Sequence, residues 1–224
     1  MSSSLIHTLT ELLFVIPCVL VALSVHEVSH GWMAYRLGDP TAKNLGRLSL
    51  NPLKHLDPIG TLCMIFFHFG WARPVPINTR YFKHNRRDTA LTALAGPLSN
   101  IALAFLGTII LHVIYAIGSR MTIRSEFSYN VFVAAMTLFN YFRSLNLALA
   151  VFNLIPVPPL DGSRIFLVWL PPKYYFGVMK HERYIQLGLM LLLWTGFLSL
   201  PLSPVVSAIG RGMDWLVELL PFFR

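Results

Sequence analysis

Long apolar runs with almost no charge in them constrain this chain more than any other feature. The first begins at Leu5 and reaches Val25 with Glu11 as its single charged residue. At 1.5 Å rise per residue a helix of that length covers about 30 Å, the thickness of a bilayer's hydrocarbon core. Further runs lie over 89–117, 131–155 and 184–200, and the only charge in those three is Arg143. Only 12% of the 224 residues are charged and mean hydropathy is +0.60, whereas a soluble domain carries about 25% charged residues. Too few charges exist to coat a water-facing surface. The pattern predicts an all-α polytopic membrane protein, a single membrane-embedded domain over 1–224, with helices over 5–37, 89–117, 131–155 and 184–205.

The remaining charge is distributed unevenly. The segments 38–89 and 162–183 are rich in Lys and Arg, which places them on the cytoplasmic side and the amino terminus outside. The net charge of +8 then belongs beside anionic lipid rather than on nucleic acid. Within the first segment, residues 59–69 are apolar but too few to span. Trp71-Ala72-Arg73-Pro74-Val75-Pro76-Ile77-Asn78 follows, and prolines two apart read as extended chain. A strand-like or re-entrant region over 45–80 is expected, and an extended substrate could pair with it. The tail 209–224 reads as a short amphipathic piece at an interface. No cleavable signal peptide is expected, and Cys18 and Cys63 show no CxxC spacing.

The first apolar run leads into Val25-His26-Glu27-Val28-Ser29-His30. This is an HExxH pattern. On a helix His26 and His30 share a face, and two imidazoles on one face can hold one Zn²⁺. Glu27 can take a proton from the attacking water. Charge inside an apolar helix is costly and marks function. A catalytic zinc takes three protein ligands. The remaining carboxylates place Asp161 first, because it sits beside an apolar segment on the inner side, and His55 and His68 next. Asp161 before Gly162 also suits a plain turn. Asn140, Arg143, Asn146 and Asn153 fall on one face of the third helix. That stripe serves either as interhelical glue or as the lining of a groove. Gly96 and Asn100 on the second helix fit close packing as well as function.

HEVSH on a membrane helix, joined with Asn153-Leu154-Ile155-Pro156-Val157-Pro158-Pro159-Leu160-Asp161-Gly162 on a later one, resembles the site-2 protease family of intramembrane zinc metalloproteases. The stretches SLNPLKHLDPIGTL, WARPVPIN and AGPLSN are similar to family sequences too. The likeness covers roughly residues 20–170 and is nearest to small bacterial members without a PDZ domain. It implies a three-helix core with a fourth helix outside it. It also implies one Zn²⁺ per chain on His26, His30 and Asp161, Glu27 as general base, and Asn153 as a holder of the substrate carbonyl. Substrates would be transmembrane proteins. A non-catalytic zinc-binding membrane protein and a transporter are the alternatives.

Overall fold

In a computed structural model the chain is helical, with residues 3–58, 60, 63, 72–120 and 125–221 described. Among the described residues, seven helices longer than four residues organise it: α1 (Ser3–Arg36), α2 (Asn85–Arg120), α3 (Glu126–Asn153), α4 (Asp161–Phe166), α5 (Pro172–Lys180), α6 (Glu182–Trp194) and α7 (Ser199–Glu218). Among the described residues, two stretches are long and apolar enough to cross a membrane, Thr10–Arg36 within α1 and Asn85–Arg120. The 28 residues of α3 also reach about 42 Å, but its stripe of Asn and Arg dilutes its apolar character.

Helix α2 is the hub, packing on α1, α3, α4 and α7. Small residues permit this closeness. Ala22, Ala93, Ala104 and Ala150 are buried along the helix seams. A side chain at Gly107 would press on Phe142 and Arg143 of α3 at 3.2–3.5 Å. A compact apolar cluster joins Ala104 of α2, Leu147 of α3 and Met213 of α7.

Helix α1 ends at Gly38, whose φ of 107° suits glycine. The chain then folds back along α1. It makes one helical turn at Thr41–Asn44, a second at Pro52–Lys54 capped by the Asn51 side chain, and a single bridge between Leu56 and Ala72. Gly31 makes room for this return, since a methyl there would strike Leu48 and Val75 at 2.7 and 2.9 Å.

The region 45–80 is described only in part. Among the described residues this region holds no strand, only the Leu56–Ala72 bridge. The prolines at 74 and 76 explain it, because a residue without N–H cannot extend a ladder. Most of the apolar piece 59–69 lies outside the described residues.

The carboxy-terminal third also differs from the single helix expected over 184–205. Helix α6 stops at Trp194, Gly196 takes φ 71°, and α7 begins at Ser199. Pro201 falls in the first turn of α7, where a missing N–H costs least, while Pro204 lies inside the helix. The expected tail from 209 is the second half of α7. Val206, Ile209, Met213 and Val217 line one face of it. Met213 and Val217 are buried, and Val206 and Ile209 pack on the α2–α3 cluster. Tertiary docking of this face holds the stretch against α2 and α3.

Candidate metal centre and active site

His26 and His30 project from α1 towards α2 and are both 6% exposed. Asp161 reaches them from the first turn of α4. The prolines 156, 158 and 159 end α3, and α4 starts immediately after them. Gly162 lets the start of α4 close on the end of α3, because a Cβ there would overlap the Leu154 and Ile155 carbonyls. As a result the Asp161 Oδ2 atom lies 3.1 Å from His26 Nε2 and 3.3 Å from His30 Nε2. The two Nε2 atoms are 3.0 Å apart.

The protonation of both rings follows from their outer partners. His30 Nδ1 lies 2.7 Å from the Thr92 carbonyl, which can only accept, so Nδ1 carries the proton. For His26 the logic runs through three residues. Asn146 Nδ2 donates to the Phe142 carbonyl at 2.8 Å, so Asn146 Oδ1 is the acceptor for Asn100 Nδ2 at 2.8 Å. Asn100 Oδ1 is left facing His26 Nδ1 at 2.6 Å and accepts from it. Asn100 and Asn146 are fully buried, a cost of several kcal/mol unless such partners are met. With both protons outward, each Nε2 presents a lone pair to the other and to a carboxylate oxygen. Asp161 Oδ2 is buried with no donor of its own. Three acceptors facing one another repel unless a cation lies among them. The donor set of two imidazoles and one carboxylate, within 4.8 Å of one another, fits Zn²⁺. Orientation of each ligand by an outer hydrogen bond is the usual companion of a metal site.

Gly96 completes the pocket. A Cβ at this position would overlap His30 Nε2 and meet His26 Cε1 at 2.6 Å, so the rings occupy the space that a side chain would need. Sequence reasoning left Gly96 and Asn100 between packing and function. Both now have specific partners in the two histidines, and their four-residue spacing on one helix face was the available signal.

Glu27 lies beside these ligands on a cavity of about 320 Å³ that also meets His26, His30, Asn153 and Asp161. Its Oε2 accepts the Val75 N–H at 2.8 Å, a contact that sequence reasoning did not find. Asn153 lines the cavity, and its amide donates to the Leu149 carbonyl at 3.0 Å. The polar stripe of α3 divides into separate tasks. Asn146 orients Asn100, while Arg143 donates to Asp214 and the Gly210 carbonyl at 2.7 and 2.8 Å and so ties α7 down. Asn140 lines a separate cavity beside α2. His55 is buried, bonds the Ser49 carbonyl at 2.6 Å and takes no part in the ligand group. His68 lies outside the described residues.

Comparison with known proteins identifies the family. The model of Peptidase family M50 matches residues 14–195. YwhC of Bacillus subtilis (strain 168), described as a candidate zinc metalloprotease, is 38% identical over 219 residues, 98% of this chain and 96% of that protein. Rip2 of Mycolicibacterium smegmatis, described in the same words, is 26% identical over 210 residues, 91% of this chain and 70% of its own length. MJ0611 of Methanocaldococcus jannaschii, with the same description, is 39% identical over 79 residues, 35% of this chain and 33% of its own. No solved structure matches the chain significantly. With a family match over most of its length and a relative aligned nearly end to end, the chain belongs to Peptidase family M50, the site-2 protease family.

Proposed function

We propose that His26, His30 and Asp161 hold the zinc ion of this metalloprotease and that Glu27 is its general base. The observation that carries the reading is the meeting of three lone-pair atoms within 3.3 Å, with both histidine protons directed away from them. Zinc, when bound, polarises the scissile carbonyl and lowers the pKa of water towards neutrality.

The chain's own residues do the rest. Glu27 accepts a proton from the attacking water and delivers it to the leaving amine. Val75 N–H holds Oε2 of Glu27, leaving Oε1 for the proton. Asn153, at the cavity wall, steadies the substrate carbonyl as charge develops on its oxygen. The product is a cut peptide bond.

The substrates we assign are transmembrane proteins, opened locally into extended chain before cleavage. The chain crosses a bacterial plasma membrane several times, α1 to α3 forming the core, with the active site on the cytoplasmic side. The basic 38–89 and 162–183 segments support that side.

The test is a panel of single-span membrane proteins incubated with purified wild type, Glu27→Gln and chelator-treated protein, with zinc counted in each. Cutting by wild type alone, with zinc retained in Glu27→Gln, supports the zinc protease reading and the role of Glu27. Zinc-free protein that stays folded and cuts would overturn them.

A further inference from the structure

The extended stretch 73–78, here called the strap, is fastened by three side chains. Arg47 Nη2 donates to the Arg73 and Pro74 carbonyls at 2.8 and 3.3 Å. Glu27 accepts the Val75 N–H at 2.8 Å. Asp39 Oδ2 accepts the Asn78 N–H at 2.7 Å. Pro74 and Pro76 have no N–H, so Val75 carries the only donor between them, and that donor is spent on Glu27.

Asp39 is the unusual member. It is fully buried, and among the described residues no cation pairs with it. A buried carboxylate persists only when fixed donors satisfy it. Its other oxygen takes the Thr41 N–H at 2.9 Å and, in a short hydrogen bond, the Thr41 hydroxyl. Its own N–H bonds the Ala34 carbonyl of α1 at 2.9 Å. Asp39 therefore moves with the end of α1, the helix that also carries Glu27. The contacts close a ring, from α1 through Asp39 to Asn78, along the strap to Val75, and back to α1 at Glu27.

We propose that Asp39 is a positioning residue for peptide-bond cleavage: it sets the height of the strap over α1 and so presents the Val75 N–H to Glu27. Arg47 serves the same strap from its other end. This rests on the reading of Glu27 as general base. The reaction then depends on a carboxylate that touches neither the ligand group nor the cavity. Asp39→Asn keeps the shape but turns an acceptor into a donor that opposes an N–H.

The experiment uses the full-length, zinc-loaded protein as wild type, Asp39→Asn, Arg47→Gln and Glu27→Ala. Two quantities are read: cleavage of a single-span substrate cut by wild type, and hydrogen exchange in the peptide over 72–78. Its two prolines leave few amides there, so Val75 and Asn78 stand out. Asp39→Asn is expected to keep its zinc and lose between about tenfold and about a hundredfold in kcat, the cost of a misplaced catalytic group. Its Val75 and Asn78 amides are expected to exchange about tenfold faster or more, as the strap opens locally. Arg47→Gln shifts both readouts the same way. Glu27→Ala frees the Val75 amide and leaves Asn78 protected.

Wild-type cleavage with a freed strap would overturn the proposal, because the strap would then not position the base. Slow cleavage with a protected strap would overturn it equally, because Asp39 would be acting elsewhere. If Asp39→Asn does not fold, Arg47→Gln carries the same two readouts. Active Glu27→Ala would sink the reading of Glu27 itself, an outcome distinguishable from either of these.

Discussion

Replacing Gly96 by alanine puts a methyl group where two metal-binding rings already sit. An ideal Cβ lies 2.5 Å from His30 Cε1 and 2.6 Å from His26 Cε1, and overlaps His30 Nε2. Carbon atoms pack comfortably at about 3.5 Å, so the rings must retreat by about 0.9 Å. They have little room to do so, because Asn100 and the Thr92 carbonyl hold their outer nitrogens at 2.6 and 2.7 Å. A zinc site tolerates displacements of about 0.2 Å. The imposed shift is about five times that. We expect zinc affinity to fall about a hundredfold, or about 2.7 kcal/mol. Stability of the metal-free protein should change far less. Alanine favours a helix interior over glycine by about 1 kcal/mol, offsetting part of an overpacking cost of about 1–3 kcal/mol. The assay counts zinc per chain after dialysis against graded chelator, with thermal unfolding of the chelated protein measured in parallel. Gly107→Ala is the control, since its Cβ meets Phe142 at 3.2 Å and no ligand, and it should keep its zinc. Wild-type zinc retention in Gly96→Ala would refute the argument that this glycine exists to admit the histidines.

Asn146→Leu, which touches neither histidine, removes the acceptor that orients Asn100 and should weaken zinc binding about tenfold, measured by the same chelator titration. Asp161→Asn removes the only charge among the three proposed ligands and should reduce zinc retention at least about tenfold. Arg143→Met leaves Asp214 and the Gly210 carbonyl without their donor, which should cost about 2 kcal/mol in unfolding of the detergent-solubilised protein with zinc content unchanged. Removing zinc with a chelator should abolish cleavage and lower the melting temperature. Added Zn²⁺ should restore both and Mg²⁺ should not, because imidazole ligands suit zinc while magnesium prefers oxygen.

Much of the candidate site is legible because its chemistry is local or bounded by composition. His26, Glu27 and His30 lie within five consecutive residues, so helical periodicity alone places both imidazoles together. The apolar runs declare α1 and α2, since few other structures accommodate so many adjacent apolar residues. Asp161 is harder. Its nomination rests on a scarcity of carboxylates near apolar segments and on a family resemblance, and only the turn at residues 154–161 brings its oxygen to the imidazoles. The helix boundaries of the carboxy-terminal region are not legible in the sequence, because hydropathy records what a residue prefers, not what it meets. Asp214 looks like a solvent-facing residue until Arg143 of α3 is seen beside it.

By itself the sequence determined the helical, lipid-compatible character of the chain and the pair of histidines with glutamate between them. Both follow from patterns repeated within a few turns of one segment. Tertiary structure decided which proton each imidazole carries, why Gly96 has no side chain, and what holds Glu27. Those answers come from Asn100, Asn146, Thr92 and Val75, which lie between 46 and 120 residues from the groups they serve or relay to. Hydrogen bonds act over about 3 Å of space with no regard for separation along the chain, so only packing of the helices could create them.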